Sequence, residues 1–340
     1  MPATLVDVAR HAGVSTATAS RVISGSDYRV SEKIRERVRE AARELNYVPN
    51  ALAQGLVGAK TATVGVLVHD LVSPYFAEMV GGMQRVAFQA GKLVMVCSSY
   101  RDPERELQYL RMLHAQRVEA VIMAGSGLDD LDYAQKLSAQ VQTFLADQRR
   151  VVFISRHHVP GDAVLPLNFA GAQSLGRALV EMGHRHIGVI AGPTKLTTVR
   201  DRLEAFRLTF QEAGIPLPQE RVIPSDFTRD GGAMAAVELM RRCPELTAIV
   251  ALNDLMAVGA LAAFREMGIS VPGQVSVASF GDSYLARDVT PTLSTIGIPL
   301  AELGERAMRL ALQPAQAELR VEHVPLQLVL RASTAPPRQA

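Results

Sequence analysis

Two textures divide the chain. Over the first fifty residues apolar side chains recur every three or four positions: Leu5, Val8, Ala9 and Ala12, then Val14, Ala19, Val22 and Ile23, then Ile34, Val38, Ala41, Ala42 and Leu45. That is the period of helices with one buried face. Thr4 with Asp7 three residues later has capping-box spacing, and Ser15 and Ser31 stand where the second and third helices need caps. The first two helices are joined by a tight Gly13-Val14 turn, and the third covers roughly residues 32–45. Two short helices about a glycine turn with a third beside them make a helix-turn-helix headpiece.

From Thr63 onward the pattern changes to short apolar β-type runs alternating with helical stretches. Strands are predicted at 64–68, 93–98, 120–124, 151–155, 186–191, 222–223, 248–252 and 275–280. Helices are predicted at 75–90, 105–116, 170–182, 198–213, 231–242 and 255–267. Such alternation implies parallel sheets with crossover helices. The pattern runs twice, with a seam near residues 159–162, so two doubly wound lobes are expected, with ligands outside the carboxyl ends of their strands. Late strands at 295–298 and 324–331 can cross back into the lobes.

Between the two textures, Pro49 stops the third helix and can open another. Residues 50–57 span at most two turns, and isolated helices shorter than about 12–15 residues are marginal in water. Gly55 costs roughly 1 kcal/mol more relative to alanine. This segment is expected to become helical only on DNA, supported by a partner copy.

Composition sharpens this picture in three ways. At 340 residues the chain calls for two or three domains. Aromatic content is 5% with no Trp, so aliphatic side chains must fill the sheets. Net charge is +2 overall, but residues 1–60 hold nine basic and six acidic side chains, which puts the positive excess on the module that would meet nucleic acid. Cys97 and Cys243 show neither metal spacing nor a disulfide framework. With no apolar run of spanning length and no signal core, a soluble, cytoplasmic protein without membrane attachment is expected.

These features, in this order, resemble the lactose-repressor (LacI/GalR) family of bacterial transcription regulators. The likeness rests on Val6-Asp-Val-Ala-Arg-His-Ala-Gly-Val-Ser-Thr-Ala-Thr-Ala-Ser-Arg-Val22, on Tyr47-Val-Pro-Asn-Ala-Leu-Ala53 and on Val66-Leu-Val-His-Asp-Leu-Val-Ser-Pro-Tyr-Phe-Ala-Glu78. It continues through Gly183-His-Arg-His-Ile-Gly-Val-Ile-Ala-Gly-Pro193, Leu252-Asn-Asp-Leu-Met-Ala-Val-Gly-Ala260 and Thr290-Pro-Thr-Leu-Ser-Thr295. The resemblance implies an α/β chain: a headpiece (1–48), a hinge helix and linker (49–62), and two periplasmic-binding-protein-like lobes. The lobes are expected at 63–158 with 293–321 and at 159–292 with 322–334, followed by a tail (335–340). It also implies a homodimer that binds a pseudopalindrome of double-stranded operator DNA, with a small-molecule effector between the lobes and no cofactor or metal.

For DNA, the resemblance points to Thr16, Ala17 and Arg21 in the major groove. Arg21 can chelate guanine, worth roughly 1–3 kcal/mol of discrimination, or it can rest on phosphate or in solvent. Ala17 and the Thr16 methyl can meet a thymine methyl. Ser15, Ser31, Tyr47 and Asn50 match phosphate or sugar contacts, which set register without reading sequence; Tyr47 can equally be a core aromatic. Leu56 matches the wedge that two copies insert into a central minor-groove step, with Ala53 as the small residue beside it.

For the effector, the resemblance points to Ser73, Tyr75 and Phe76 on the first lobe and to Thr198, Arg202, Phe227, Asn253 and Asp282 on the second. Arg202 supplies a planar donor fork and the aromatics supply stacking walls. Asp254 can contact ligand or cap the helix after it. Two departures from the family pattern remove polar contacts: Gly281 stands where relatives carry the first of two acids, and Leu167-Asn168 replaces Asp-Asn. Lys195 and Arg200 hint at an acidic sugar.

Enzyme chemistry finds no support. Gly58-Ala-Lys-Thr61 lacks the earlier glycine of a phosphate loop and precedes a strand. No Gly-x-Ser-x-Gly elbow occurs, and His157, His158, His184 and His186 lack the partners of a metal site. The competing readings are a solute-binding protein and a sugar-processing enzyme of similar fold. The first would lack the headpiece, and the second would turn its ligand over.

Overall fold

The computed structural model describes residues 3–23, 30–48, 62–314, 316 and 318–338. The proposed hinge helix, with Asn50, Ala53 and Leu56, lies outside the described residues.

The headpiece has three helices, α1 (Leu5–His11), α2 (Thr16–Ile23) and α3 (Glu32–Glu44). Thr4 and Asp7 form the expected capping box: the Thr4 hydroxyl accepts from the Asp7 amide, and the Asp7 carboxylate accepts from the Thr4 amide at 3.0 Å. Ser15 caps α2 through the Thr18 amide at 3.1 Å. Ser31 stands at the N-cap of α3, but its hydroxyl makes no cap bond. Val8, Ala9, Ala12, Ala19, Val22, Val38 and Ala41 form the core, with Tyr47 packed against it. Gly13 has φ +60, and a Cβ there would stand 2.7 Å from the Arg37 guanidinium, which donates to the Ala12 carbonyl. Only glycine closes this turn without strain.

The body, from residue 63 on, carries two six-stranded sheets. The first contains β1 (Thr63–Val68), β2 (Leu93–Ser98), β3 (Ala120–Ala124), β4 (Arg150–Ile154), β5 (Asp162–Pro166) and β11 (Val321–Val324). Its order is β11-β5-β4-β3-β1-β2, all parallel. The second contains β6 (Ile187–Ala191), β7 (Val222–Pro224), β8 (Ala248–Ala251), β9 (Ser276–Gly281), β10 (Ser294–Gly297) and β12 (Gln327–Val329). Its order is β12-β10-β9-β8-β6-β7, parallel except for β12. The connecting helices are α4 (Pro74–Gln89), α5 (Pro103–Ala115), α6 (Leu131–Ala146), α7 (Asn168–Glu181), α8 (Thr197–Glu212), α9 (Arg229–Arg242), α10 (Asp254–Glu266), α11 (Tyr284–Asp288) and α12 (Leu300–Leu312). Strands β3 and β4 are buried along their whole length, as near-continuous apolar runs require.

The lobe boundaries differ from those expected. β5 joins the first sheet, so that lobe extends through Pro166 and not to the seam at 159–162. A buried ion pair fixes it there: Arg150 Nη2 lies 2.7 Å from Asp162 Oδ2, with both side chains under a tenth exposed. β10, expected in the first lobe, pairs with β9 in the second, whereas α12 packs against α4 of the first. β11 belongs to the first lobe from Val321 to Val324, past the expected boundary. The chain therefore crosses between lobes after β5, after β10 and after β11, and the Leu167 amide donates to the Val324 carbonyl where two crossings meet.

Along one rim the lobes are stitched together. Leu128 and Leu196 form an antiparallel bridge, the Thr197 amide donates to the Gly127 carbonyl, and Arg156 pairs with Asp201 at 2.5 Å.

Candidate functional site

A cavity of about 300 Å³ opens between the two lobes at the carboxyl ends of their strands. That is the place a doubly wound fold reserves for ligands. The end of β1 supplies His69, and α4, which begins with Pro74 at its first turn, presents Ser73, Tyr75 and Phe76. The stretches after β2, β3 and β4 bring Arg101, Ser126 and Ser155. From the second lobe come Thr198 and Arg202 on α8, Phe227 just after β7, Asn253 and Asp254 after β8, and Phe280 at the end of β9.

Arg202 is buried and held on three sides. Its Nε and Nη2 donate to Asn168 Oδ1 at 2.9 and 2.8 Å, and its Nη1 donates to the Leu252 carbonyl at 2.6 Å. The guanidinium lies over the Phe280 ring, 3.8 Å from its centroid. Burial lowers its pKa to about 10, so it stays a cation at neutral pH. Five N–H donors less three leaves one on each Nη for a ligand.

Seven of the eight residues expected at this site line the cavity; Asp282 does not. Asp282 has φ +61 and pairs with Arg331 at 2.7 Å. On the second-lobe wall the carboxylate is Asp254, accepting from Ser279 Oγ (2.7 Å), the Ser283 amide (2.7 Å) and Ser283 Oγ (2.8 Å), while Asp70 lines the first-lobe side. The glycine at 281 follows from this. A Cβ there would stand 2.7 Å from Asp254 Oδ2, and the φ of +149 is one that side chains avoid. Asn253, expected to bind hydroxyls, caps α10 by accepting from the Met256 amide at 2.8 Å and donates to the Phe227 carbonyl at 3.0 Å. The Thr198 hydroxyl meets that of Ser126 from the other lobe. Lys195 and Arg200 lie on the surface, outside the cavity, and Arg200 pairs with Asp129.

Sequence reasoning missed His69, Arg101, Asn168 and Phe280. The first two and Phe280 sit at or just past the carboxyl ends of β1, β2 and β9, so the strand-end rule applied strand by strand would have found them. His69 is 6% exposed, and burial with the nearby Arg101 cation pushes its pKa down to about 3. It stays neutral. Burial also holds His157 neutral, its pKa pushed down to about 4 although its ring bonds the Ser155 carbonyl.

In the headpiece, Ser15, Thr16, Ala17 and Arg21 are exposed at the start of and along α2, opposite the buried Ala19 and Val22. Ser31 is exposed, and Tyr47 is half-buried against the core.

The headpiece, residues 4–50, matches the model of the lacI family of bacterial regulatory proteins, and residues 177–334 match the periplasmic binding protein-like domain. The chain is 31% identical over 342 residues to the HTH-type transcriptional regulator DegA of Bacillus subtilis, covering 99% of both. It belongs to the LacI family. It is also 34% identical over 311 residues to the HTH-type transcriptional repressor PurR of an Escherichia coli strain, covering 91% of this chain and 89% of that one. A lac repressor dimer bound to operator and the anti-inducer ONPF superposes with a TM-score of 0.87 at 29% identity, covering 98% of this chain and all of that one. A CelR–cellobiose complex superposes at 0.72, with 30% identity over 97% of this chain and 99% of that one.

As a LacI-family member the chain is a DNA-binding transcriptional regulator, and its relatives are regulators, not enzymes. Repressors of this family bind operator DNA and small-molecule effectors and form dimers. No helix among the described residues is long and apolar enough to cross a membrane, and no cluster among them could hold a metal ion.

Proposed function

We propose that this regulator is a repressor that reads a pseudopalindromic operator as a homodimer, and that a sugar or sugar acid bound in the inter-lobe cavity sets its affinity for that operator. The observation that carries the reading is Arg202: a buried guanidinium fixed on Phe280, with two donors left over beside aromatic walls contributed by both lobes. A cavity of about 300 Å³ suits a compact ligand, and two of the structurally similar regulators hold cellobiose and ribose.

On the DNA side, Arg21, Thr16 and Ala17 read bases in the major groove, while Ser15, Ser31, Tyr47 and Asn50 fix register on the backbone. The Ser31 hydroxyl makes no cap bond, which leaves it available to a phosphate. Leu56 wedges the central minor-groove step with Ala53 beside it. Because residues 50–57 are too few to hold a helix unaided, a change in lobe angle alters how two copies of that segment order on the duplex.

A thermal-shift screen of sugars, sugar acids, nucleobases and sugar phosphates tests the effector reading. A ligand that raises the melting temperature of the wild-type protein but not of Arg202→Ala, and that changes operator affinity, supports it. Ligands that act equally on both proteins place the effector elsewhere.

A further inference from the structure

We infer that the effector carries an anionic group, a carboxylate or phosphate ester, seated against Arg101 and Arg202, on a compact body packed between the aromatic walls. This rests on the reading of the cavity as the effector site and narrows the chemical class that fills it.

The argument is a census of hydrogen-bonding capacity. Many of the carboxylate, amide and carbonyl oxygens in and just behind the cavity wall are engaged by the protein's own donors. Both Asp254 oxygens take protein donors: Oδ2 takes the Ser283 amide and hydroxyl, and Oδ1 takes Ser279, with Thr295 at 3.4 Å. The Asn253 and Asn168 oxygens are engaged by the Met256 amide and by Arg202. The Leu252, Phe227 and Asp226 carbonyls accept from Arg202, Asn253 and Arg101. Asp70 Oδ1 takes the Val72 amide.

Donors are left over. Arg101 Nε is buried without a hydrogen-bond partner among the described residues, and Nη1 reaches only the Asp226 carbonyl, at a long 3.4 Å. Asp70 and Asp226 act on this cation through space, without an ion pair among the described residues. Arg202 has two N–H groups to spare.

The backbone favours the same conclusion. Tyr100 and Arg101 have φ of +53 and +60, sparsely populated for non-glycine residues, and such conformations concentrate at ligand sites. The Arg101 guanidinium extends from the first lobe to lie 5.2 Å from the centroid of Phe227 on the second. A neutral polyol brings donors as well as acceptors, and its donors find the Asp254, Asn253 and Leu252 oxygens already engaged by the protein. An anion brings acceptors alone, and guanidinium–carboxylate or –phosphate pairing is the strong, bidentate class.

The test is titration calorimetry on the full chain at constant ionic strength with matched pairs: glucuronate against glucose, gluconate against glucitol, glucose 6-phosphate against glucose, and hypoxanthine as a neutral heterocycle. Wild type and Arg101→Met are compared. The expected result is one anionic probe binding at least tenfold tighter than its neutral counterpart, with that preference lost in Arg101→Met; the carboxylate and phosphate arms say which anion it is. A neutral probe binding as tightly as its charged counterpart, a preference that survives Arg101→Met, or no binding by any anionic probe overturns the proposal. Ligand-free Arg101→Met is also expected to melt no lower than wild type, because the buried cation has no ion pair among the described residues and only a long hydrogen bond and the Phe227 ring to offset its desolvation. A drop of several degrees would make Arg101 a structural clasp and overturn the proposal as well. A neutral ligand that binds and shifts operator affinity removes the anion but keeps the effector site. Bound ligands that never change operator affinity remove the effector reading itself.

Discussion

Arg202 grips one side-chain oxygen of Asn168 with two nitrogens, at 2.9 Å from Nε and 2.8 Å from Nη2. Asn168 is 5% exposed and opens α7 just after the chain has left the first lobe, so the residue that aims the guanidinium stands at a crossing between lobes. Replacing Asn168 with alanine leaves two buried donors without their acceptor, at a cost of about 1–3 kcal/mol. Urea denaturation of Asn168→Ala should show that loss, and the variant's affinity for any cavity ligand should fall with it. Unchanged stability and binding would mean that Phe280 and Leu252 suffice to hold Arg202.

The Arg150–Asp162 pair should behave as a buried pair does. Asp162→Ala strands a guanidinium that also donates to the Leu310 and Pro314 carbonyls, and breaking such a pair costs about 3–5 kcal/mol. The double variant Arg150→Met/Asp162→Leu should recover much of the loss in the same denaturation experiment.

Glu106 gives the protein a pH signature. Burial between α5 and α6 pushes its carboxyl up to about 7, although a hydrogen bond with Tyr133 pulls the other way. A carboxyl whose pKa is raised on folding keeps its proton in the folded state where the unfolded chain has lost it. Stability therefore falls as pH rises from about 4.5 to about 7, by on the order of 3 kcal/mol from this group. Glu106→Gln should remove that component and be more stable than wild type at pH 8, as read by denaturation midpoints across the range.

Arg21→Ala should relax base preference, whereas Lys33→Ala should change only salt-dependent affinity. Binding to a selected operator and to random duplex, each over a salt series, separates the two. Equal losses on both DNAs for Arg21→Ala would assign it to phosphate.

Much of this architecture was legible in the sequence because periodicity and turn chemistry agree. The capping box at Thr4 and Asp7 and the cap at Ser15 stand as expected, and the apolar runs at 93–98 and 120–124 are strands with those bounds. What escaped depends on pairings that local pattern does not encode. β5 opens on a charged residue and ends on proline, so it does not read as a strand, and its place is set by Arg150, twelve residues earlier. Asp282 left the expected site for Arg331, and Asp254 took the second-lobe wall, because that position is decided by which acid Ser279 and Ser283 surround. Arg101 carried no motif; only the end of β2 points to it.

The central claim is that a ligand between the lobes controls DNA binding, and fluorescence anisotropy of the full chain on its selected operator tests it most directly. With the cavity ligand at saturation, the account predicts that the operator Kd shifts by about 5- to 150-fold, the range of ordinary allosteric coupling, and that the shift disappears in Arg202→Ala. The same Kd with and without a ligand shown to occupy the cavity would contradict it.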